Sequence, residues 1–128
     1  MPVLVYEFNT RSELDTAVDL WITDEESATV TYGNINYWDV SAITDFSWLF
    51  SDNQFSYTFN SDISNWDVSN GSSFYGMFRD ASSFDQDIGE WDVDNGTNFF
   101  IIFLNSLLST FENNNSLISN EVNLYIKK

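Results

Sequence analysis

The sequence contains no histidine, no cysteine, one proline and only four basic residues. Without an imidazole or a thiol, Ser-His-Asp and Cys-His nucleophile activation, disulfide exchange and thiolate or imidazole metal sites are out of reach. Carboxylate chemistry or binding remains, and the missing cysteines leave the redox compartment unread. The basic residues, Arg11, Arg79, Lys127 and Lys128, are too scattered for a patch, and against twenty acidic residues they leave a formal net charge of -16. Such a surface repels phosphate backbones and anionic bilayers, so nucleic acid and polybasic membrane attachment are excluded. The longest apolar run, Phe99 to Leu104, is far shorter than the roughly 20 residues that span a bilayer, so direct membrane insertion is not expected. The first residues lack both the basic start and the roughly 7–15 apolar residues of a signal peptide. Localisation is therefore left open.

What is present is aromatic. Five Trp, six Tyr and twelve Phe stand among 128 residues that are 43% hydrophobic, enough for one folded domain over residues 1–128. Three segments align without gaps, beginning at Trp38, Trp66 and Trp91. The invariant columns are Trp38/Trp66/Trp91, Asp39/Asp67/Asp92, Val40/Val68/Val93, Phe46/Phe74/Phe99 and Phe50/Phe78/Phe103, and Ile35, Ile63 and Ile88 lie three residues before each tryptophan. The tryptophans are 28 and then 25 residues apart; the extra three fall in the polar stretch between Phe50 and Phe59, where a surface loop tolerates them. A period near 25 lies in the leucine-rich-repeat range, one short strand and one helical turn per coil. Ile-x-x-Trp-x-Val reads as the strand side and Phe-x-x-x-Phe as the inward-facing helical turn.

The segment FDQDIGEWDVDNGTNF at 84–99, preceded by MFRDASS at 77–83, resembles the repeats of BspA-like leucine-rich-repeat surface proteins, the DUF285 class. Residues 14–50 likewise resemble the usual start of such arrays, and the likeness covers about residues 12 to 103. It implies a surface or adhesion role. Two departures stand out: Gly71 and Gly96 replace the branched aliphatic that Ile43 supplies, and Phe46, Phe74 and Phe99 stand where the family usually has Met.

Three units are the minimum for a stable stack, so both ends need caps. Ser12 to Ile22 reads as a helix with Leu14, Ala17, Val18 and Trp21 on one stripe, opened by a Ser12–Asp15 capping box. Val3 to Tyr6 reads as a strand. At the other end Phe100, Phe103, Leu104, Leu107, Leu108 and Phe111 read as a helix, with Ile101 and Ile102 partly off its stripe, and Val122-x-Leu124-x-Ile126 as a final strand. The expected fold is therefore an α/β repeat: a short leucine-rich-repeat-like solenoid of about three coils over 35–103, with an N-terminal strand and capping helix over 1–34 and a helix/strand cap over 104–128.

Each candidate site has two readings. Trp38, Trp66 and Trp91 form either a row exposed to sugar rings or a buried ladder in which each indole packs on the next coil. Asp85, Asp87, Glu90, Asp92 and Asp94 suggest a hard-cation loop, yet glycine takes a ligand position of the calcium-loop pattern and the terminal glutamate is missing; turn carboxylates that bind backbone N–H groups account for the same residues. A hydrolase would need two carboxylates across a cleft, and no feature selects a pair. Thr44/Ser72/Thr97 is too irregular for a lattice-matching face. The expectation is a non-enzymatic protein-interaction or structural module with no cofactor and no metal, on a cell or virion surface, whose partner is a protein or a second copy. Candidate contact residues are Trp38, Trp66, Trp91, Phe100, Ile101 and Ile102. A glycan-binding module using the tryptophan row is the alternative, and carboxylate hydrolysis the remote one.

Overall fold

The computed structural model of the chain describes residues 5–106. Helix α1, Arg11–Thr23, begins at Thr10, whose hydroxyl accepts the Glu13 N–H at 3.1 Å while the Glu13 carboxylate accepts the Asn9 N–H at 3.3 Å. This capping box lies two residues before the expected one, because Glu13 has the reach that Asp15 lacks; Asp15 instead accepts from Arg11 Nε at 2.7 Å. Leu14, Ala17, Val18 and Trp21 are the buried stripe, as their spacing predicts. Asp24 closes α1 through its N–H and opens α2, Glu25–Tyr32, through its carboxylate, which accepts from Ser27 N–H. The sequence shows no apolar stripe for α2, since Ala28 is its one buried residue. Gly33, at φ 76°, ends it.

From there the expected α/β architecture does not form. Among the described residues there is no strand and no α-helix beyond α2, only the short 3-10 helices Ile35–Tyr37 and Ser56–Thr58 and a run of turns. Neither side of the repeat takes its expected form. Ile-x-x-Trp-x-Val folds into consecutive tight turns, Trp66 N–H to Ile63 O and Gly71 N–H to Val68 O, repeated as Trp91 to Ile88 and Gly96 to Val93. A segment that turns every three or four residues has no length in which to become a strand. The units meet instead along the phenylalanine side. Phe46, Trp48 and Phe50 donate their N–H groups to Ser73, Tyr75 and Met77 at 2.8–3.0 Å, and Phe74, Gly76 and Phe78 donate to Asn98, Phe100 and Ile102 at 2.8–3.0 Å. This side turns as well, Leu49 N–H to Phe46 O, Met77 to Phe74 and Ile102 to Phe99, so it is neither a helix nor an extended strand: alternate N–H groups point sideways to the next unit and those between them close tight turns.

That pairing stays as isolated parallel bridges, Asp45 to Ser73 and Ser73 to Asn98, because every unit kinks in the middle of it. Trp48, Gly76 and Ile101 occupy one column and all have left-handed backbone, at φ 62°, 60° and 51°. Only glycine adopts this freely; for an L side chain it costs about 1–2 kcal/mol, so the first and third units hold their kink by packing.

Of the expected strand Val3 to Tyr6, only Val5 and Tyr6 lie among the described residues and neither is in a strand; just after them one parallel bridge joins Glu7 to Asp39, with Phe8 N–H on Asp39 O and Asp39 N–H on Tyr6 O at 3.0 and 2.9 Å. Residues 100–105 form turns, with left-handed Ile101 and Asn105 interrupting the expected helix; the remainder of that helix and the strand at 122–126 lie outside the described residues.

The core is built of ring columns. Phe46, Phe74 and Phe99 stack at 5.5 and 5.3 Å, Phe50, Phe78 and Phe103 at 5.4 and 5.6 Å, and Phe59 and Phe84 at 5.6 Å. The glycine departures belong to this packing. A Cβ at Gly71 would lie 2.6 Å from Phe74 Cζ, and one at Gly96 2.3 Å from Phe99 Cζ. Phenylalanine in the methionine column refills what the aliphatic column gave up.

Candidate functional site

Trp38, Trp66 and Trp91 are buried, with 2%, 3% and 2% of their surface exposed. The first two stack at 6.4 Å. Their indole N–H groups are engaged as well: Trp66 Nε1 donates to Ile35 O at 2.7 Å and Trp91 Nε1 to Ile63 O at 3.1 Å, each reaching back one unit, while Trp38 Nε1 donates to Gly33 O at 3.0 Å. The isoleucine and tryptophan columns thus form one device, an indole clamping the carbonyl of the layer before it. No ring face of the three is left open for a sugar.

The acidic column is turn chemistry. Asp39 accepts from the N–H and hydroxyl of Ser41 at 2.9 and 2.6 Å, Asp67 accepts likewise from Ser69 at 3.0 and 2.5 Å, and Asp92 accepts from Asp94 N–H at 3.0 Å. Each carboxylate accepts from the N–H two residues on, standing in for a backbone carbonyl in the turn. In the suggested cation loop, Asp87 accepts from Gly89 N–H at 2.9 Å, and among the described residues no three acidic side chains gather as metal ligands. The hydroxyl column is also structural: Ser72 and Thr97 donate to Thr44 O and Ser72 O, each at 3.1 Å.

The exposed aromatic row lies elsewhere. Trp48 meets Tyr75 edge-on at 5.0 Å, and Tyr75 meets Phe100 at 5.7 Å, one ring from each unit. Trp48 and Tyr75 are half-buried; Phe100 is 51% exposed and Leu104 39%. Ile101 is half-buried beside them, whereas Ile102 points into the core at 2%. Phe100 and Ile101 are thus the only predicted contact residues that the structure leaves accessible. Trp48 and Tyr75 escape sequence reasoning because they share no column: Trp48 aligns with Gly76 and Ile101, Tyr75 with Ser47 and Phe100. Gly76 is the reason they meet, since a Cβ there would lie 2.8 Å from Trp48 Cε3. The kinked backbone lets the indole lie across the next layer.

Both described cations border this row. The Arg79 guanidinium lies 5.6 Å from the Trp48 ring centroid, a cation–π distance. Arg11 donates to Asp15 Oδ1 at 2.7 Å and to Asp45 O at 3.0 Å. Arg11, Asp15, Asp45, Ser47, Trp48 and Asp52 line a shallow groove of about 480 Å³.

Three carboxyls are held below their ordinary value of 3.8. Burial pushes Asp45 up, but the Ser47 hydroxyl and N–H and the Arg11 guanidinium together outweigh it; the hydroxyl and N–H of Ser69 lower Asp67, and those of Ser27 lower Asp24. A group whose folded pKa is depressed stabilises the fold above its unfolded pKa and ceases to as pH falls through the folded one. An Asp67→Asn variant should therefore unfold at slightly lower urea than the wild type at pH 6, and the gap should shrink as pH falls through the acid range. Asp67 is largely exposed, so the gap should narrow in high salt.

No curated protein and no solved structure matches the chain. A family model described as "Mycoplasma protein of unknown function, DUF285" matches residues 16–123, from within the capping helix to beyond the third unit, and the chain belongs to this DUF285 family.

Proposed function

We propose that the chain is a non-catalytic docking module of the kind BspA-like surface proteins carry, that it works on a cell or particle surface, and that its contact face is the Trp48–Tyr75–Phe100 row. The observation that carries this reading is the row itself: three rings from three units, continued by exposed Leu104, on a protein that buries the aromatics of its invariant columns. Exposed apolar strips on soluble domains mark interaction sites.

The test is site-specific photocrosslinking in the producing cells, with benzoylphenylalanine in place of Tyr75, Phe100 or, as control, Tyr57, a 54% exposed aromatic of the inserted loop. Discrete adducts are expected from positions 75 and 100 and not from 57. The same adducts from all three, or none from 75 and 100, would sink the assignment.

A further inference from the structure

The partner's chemistry follows from how the row is bordered, an inference that rests on the docking reading above. Four carboxylates, Asp15, Asp45, Asp52 and Asp80, adjoin the row, against two guanidiniums, Arg11 and Arg79. The side chains of Asp15, Asp45 and Asp80 remain 48%, 55% and 56% exposed despite those ion pairs. With a formal charge of -16 behind it, the face draws in cations and repels acidic chains. The protein already shows the contact it offers: its own Arg79 lies against Trp48.

The face is also graded. At the positions outside the phenylalanine columns the first unit carries Ser47, Trp48 and Ser51 beside the acidic groove, and the third carries Phe100, Ile101 and Leu104. Sideways-paired chain segments lie about 4.8 Å apart, so the first layer is roughly 10 Å from the third, a span that about three extended residues cross.

We propose that this face binds a basic, apolar-bearing segment of a partner protein. A Lys or Arg side chain enters the groove between Trp48 and the carboxylates of Asp45 and Asp52, and neighbouring apolar side chains lie on Tyr75, Phe100 and Leu104. The cation gains ring and carboxylate contacts together, and the apolar residues fix the direction of the segment along the gradient.

The test uses fluorescence anisotropy with two labelled eight-residue peptides, one of alternating Lys and Leu and one of alternating Glu and Leu, against the full chain. The Lys/Leu probe should bind and the Glu/Leu probe should not. Asp45→Asn with Asp52→Asn should weaken binding at least tenfold, and Phe100→Ser with Leu104→Ser likewise. Asp92→Asn with Asp94→Asn, away from the groove, should change it less than twofold. Asparagine keeps the oxygen that accepts from Ser47 N–H at 2.9 Å, so the first pair should retain the turn; an unchanged urea midpoint checks it. Equal binding of both probes would overturn the charge assignment while the adducts from Tyr75 still stood. Equal loss from both Asp→Asn pairs would reduce the effect to diffuse charge and overturn the site, as would no binding of the Lys/Leu probe.

Discussion

Phe78→Ala should remove about 3–5 kcal/mol of stability, the usual cost of truncating a fully buried phenylalanine, from a domain whose whole margin is roughly 5–15 kcal/mol. Phe78 is fully buried and stands at a crossing of the aromatic core. Phe50 and Phe103 stack on it from the layers either side at 5.4 and 5.6 Å, Phe84 lies against it at 4.3 Å, and the Trp91 ring is 6.2 Å away. The loss combines transfer of the ring to water with a cavity that rigid neighbouring rings cannot close. Its backbone N–H also supplies a bond to Ile102 O at 2.8 Å, so disturbing this position loosens the attachment of the third unit. The check is urea unfolding followed by circular dichroism. Phe100→Ala, which removes the same ring from an exposed position, should shift the midpoint by no more than surface changes do, about 0.5 kcal/mol. Equal losses would mean that the ring columns do not carry the core.

The second large effect is a coupling. Gly71→Ile restores the aliphatic found at Ile43, but the new Cβ would lie 2.6 Å from Phe74 Cζ and 3.0 Å from two Phe46 ring atoms. Overpacking of this kind costs about 1–3 kcal/mol, and the upper end is expected because both obstacles are stacked rings, 5.5 Å apart and 7° from parallel, with little freedom to tilt. Phe74→Met alone should also destabilise, by breaking that stack. Together the two changes should cost at least about 1 kcal/mol less than their separate losses combined, because the thioether leaves the space that the isoleucine needs; coupling of roughly 0.5–3 kcal/mol is usual for residues in direct contact. Strict additivity would mean that the glycine and the phenylalanine are unrelated departures.

The repeat and the buried stripe of the N-terminal helix were legible because recurring apolar columns and an i, i+3, i+4, i+7 spacing seldom arise unless a face is buried. Which side of each unit pairs with its neighbour was not. The four-residue phenylalanine spacing suggests a helical turn, and the feature that breaks the helix into single turns, left-handed backbone at Trp48, Gly76 and Ile101, shows as glycine in one unit only. The acidic column was legible as turn carboxylates beside the cation-loop reading, since Asp, Asn and Ser bind backbone groups in tight turns. The exposed row had no such sign, since Trp48 and Tyr75 become neighbours only when layers offset by one column are laid on each other. Helix α2 was hidden because a single buried alanine makes no stripe. The candidate contact residues included the apolar end of the row, at Phe100 and Ile101, and missed the end that carries its charge.

The indole clamp bears on how such a chain grows. Trp66 and Trp91 each take their acceptor from the unit before, every unit carries its own turn acid and stacking rings, and the first two supply N–H donors for the unit after. A duplication of 25 residues, the spacing from Trp66 to Trp91, would therefore insert a complete layer whose needs are met by identical neighbours. The loop between Phe50 and Phe59, three residues longer than its counterpart between Phe78 and Phe84, leaves the register of the rings unchanged, since Phe50 still stacks on Phe78 and Phe59 on Phe84. Heredity can lengthen or shorten this protein in whole floors, each bringing its own share of the ring columns.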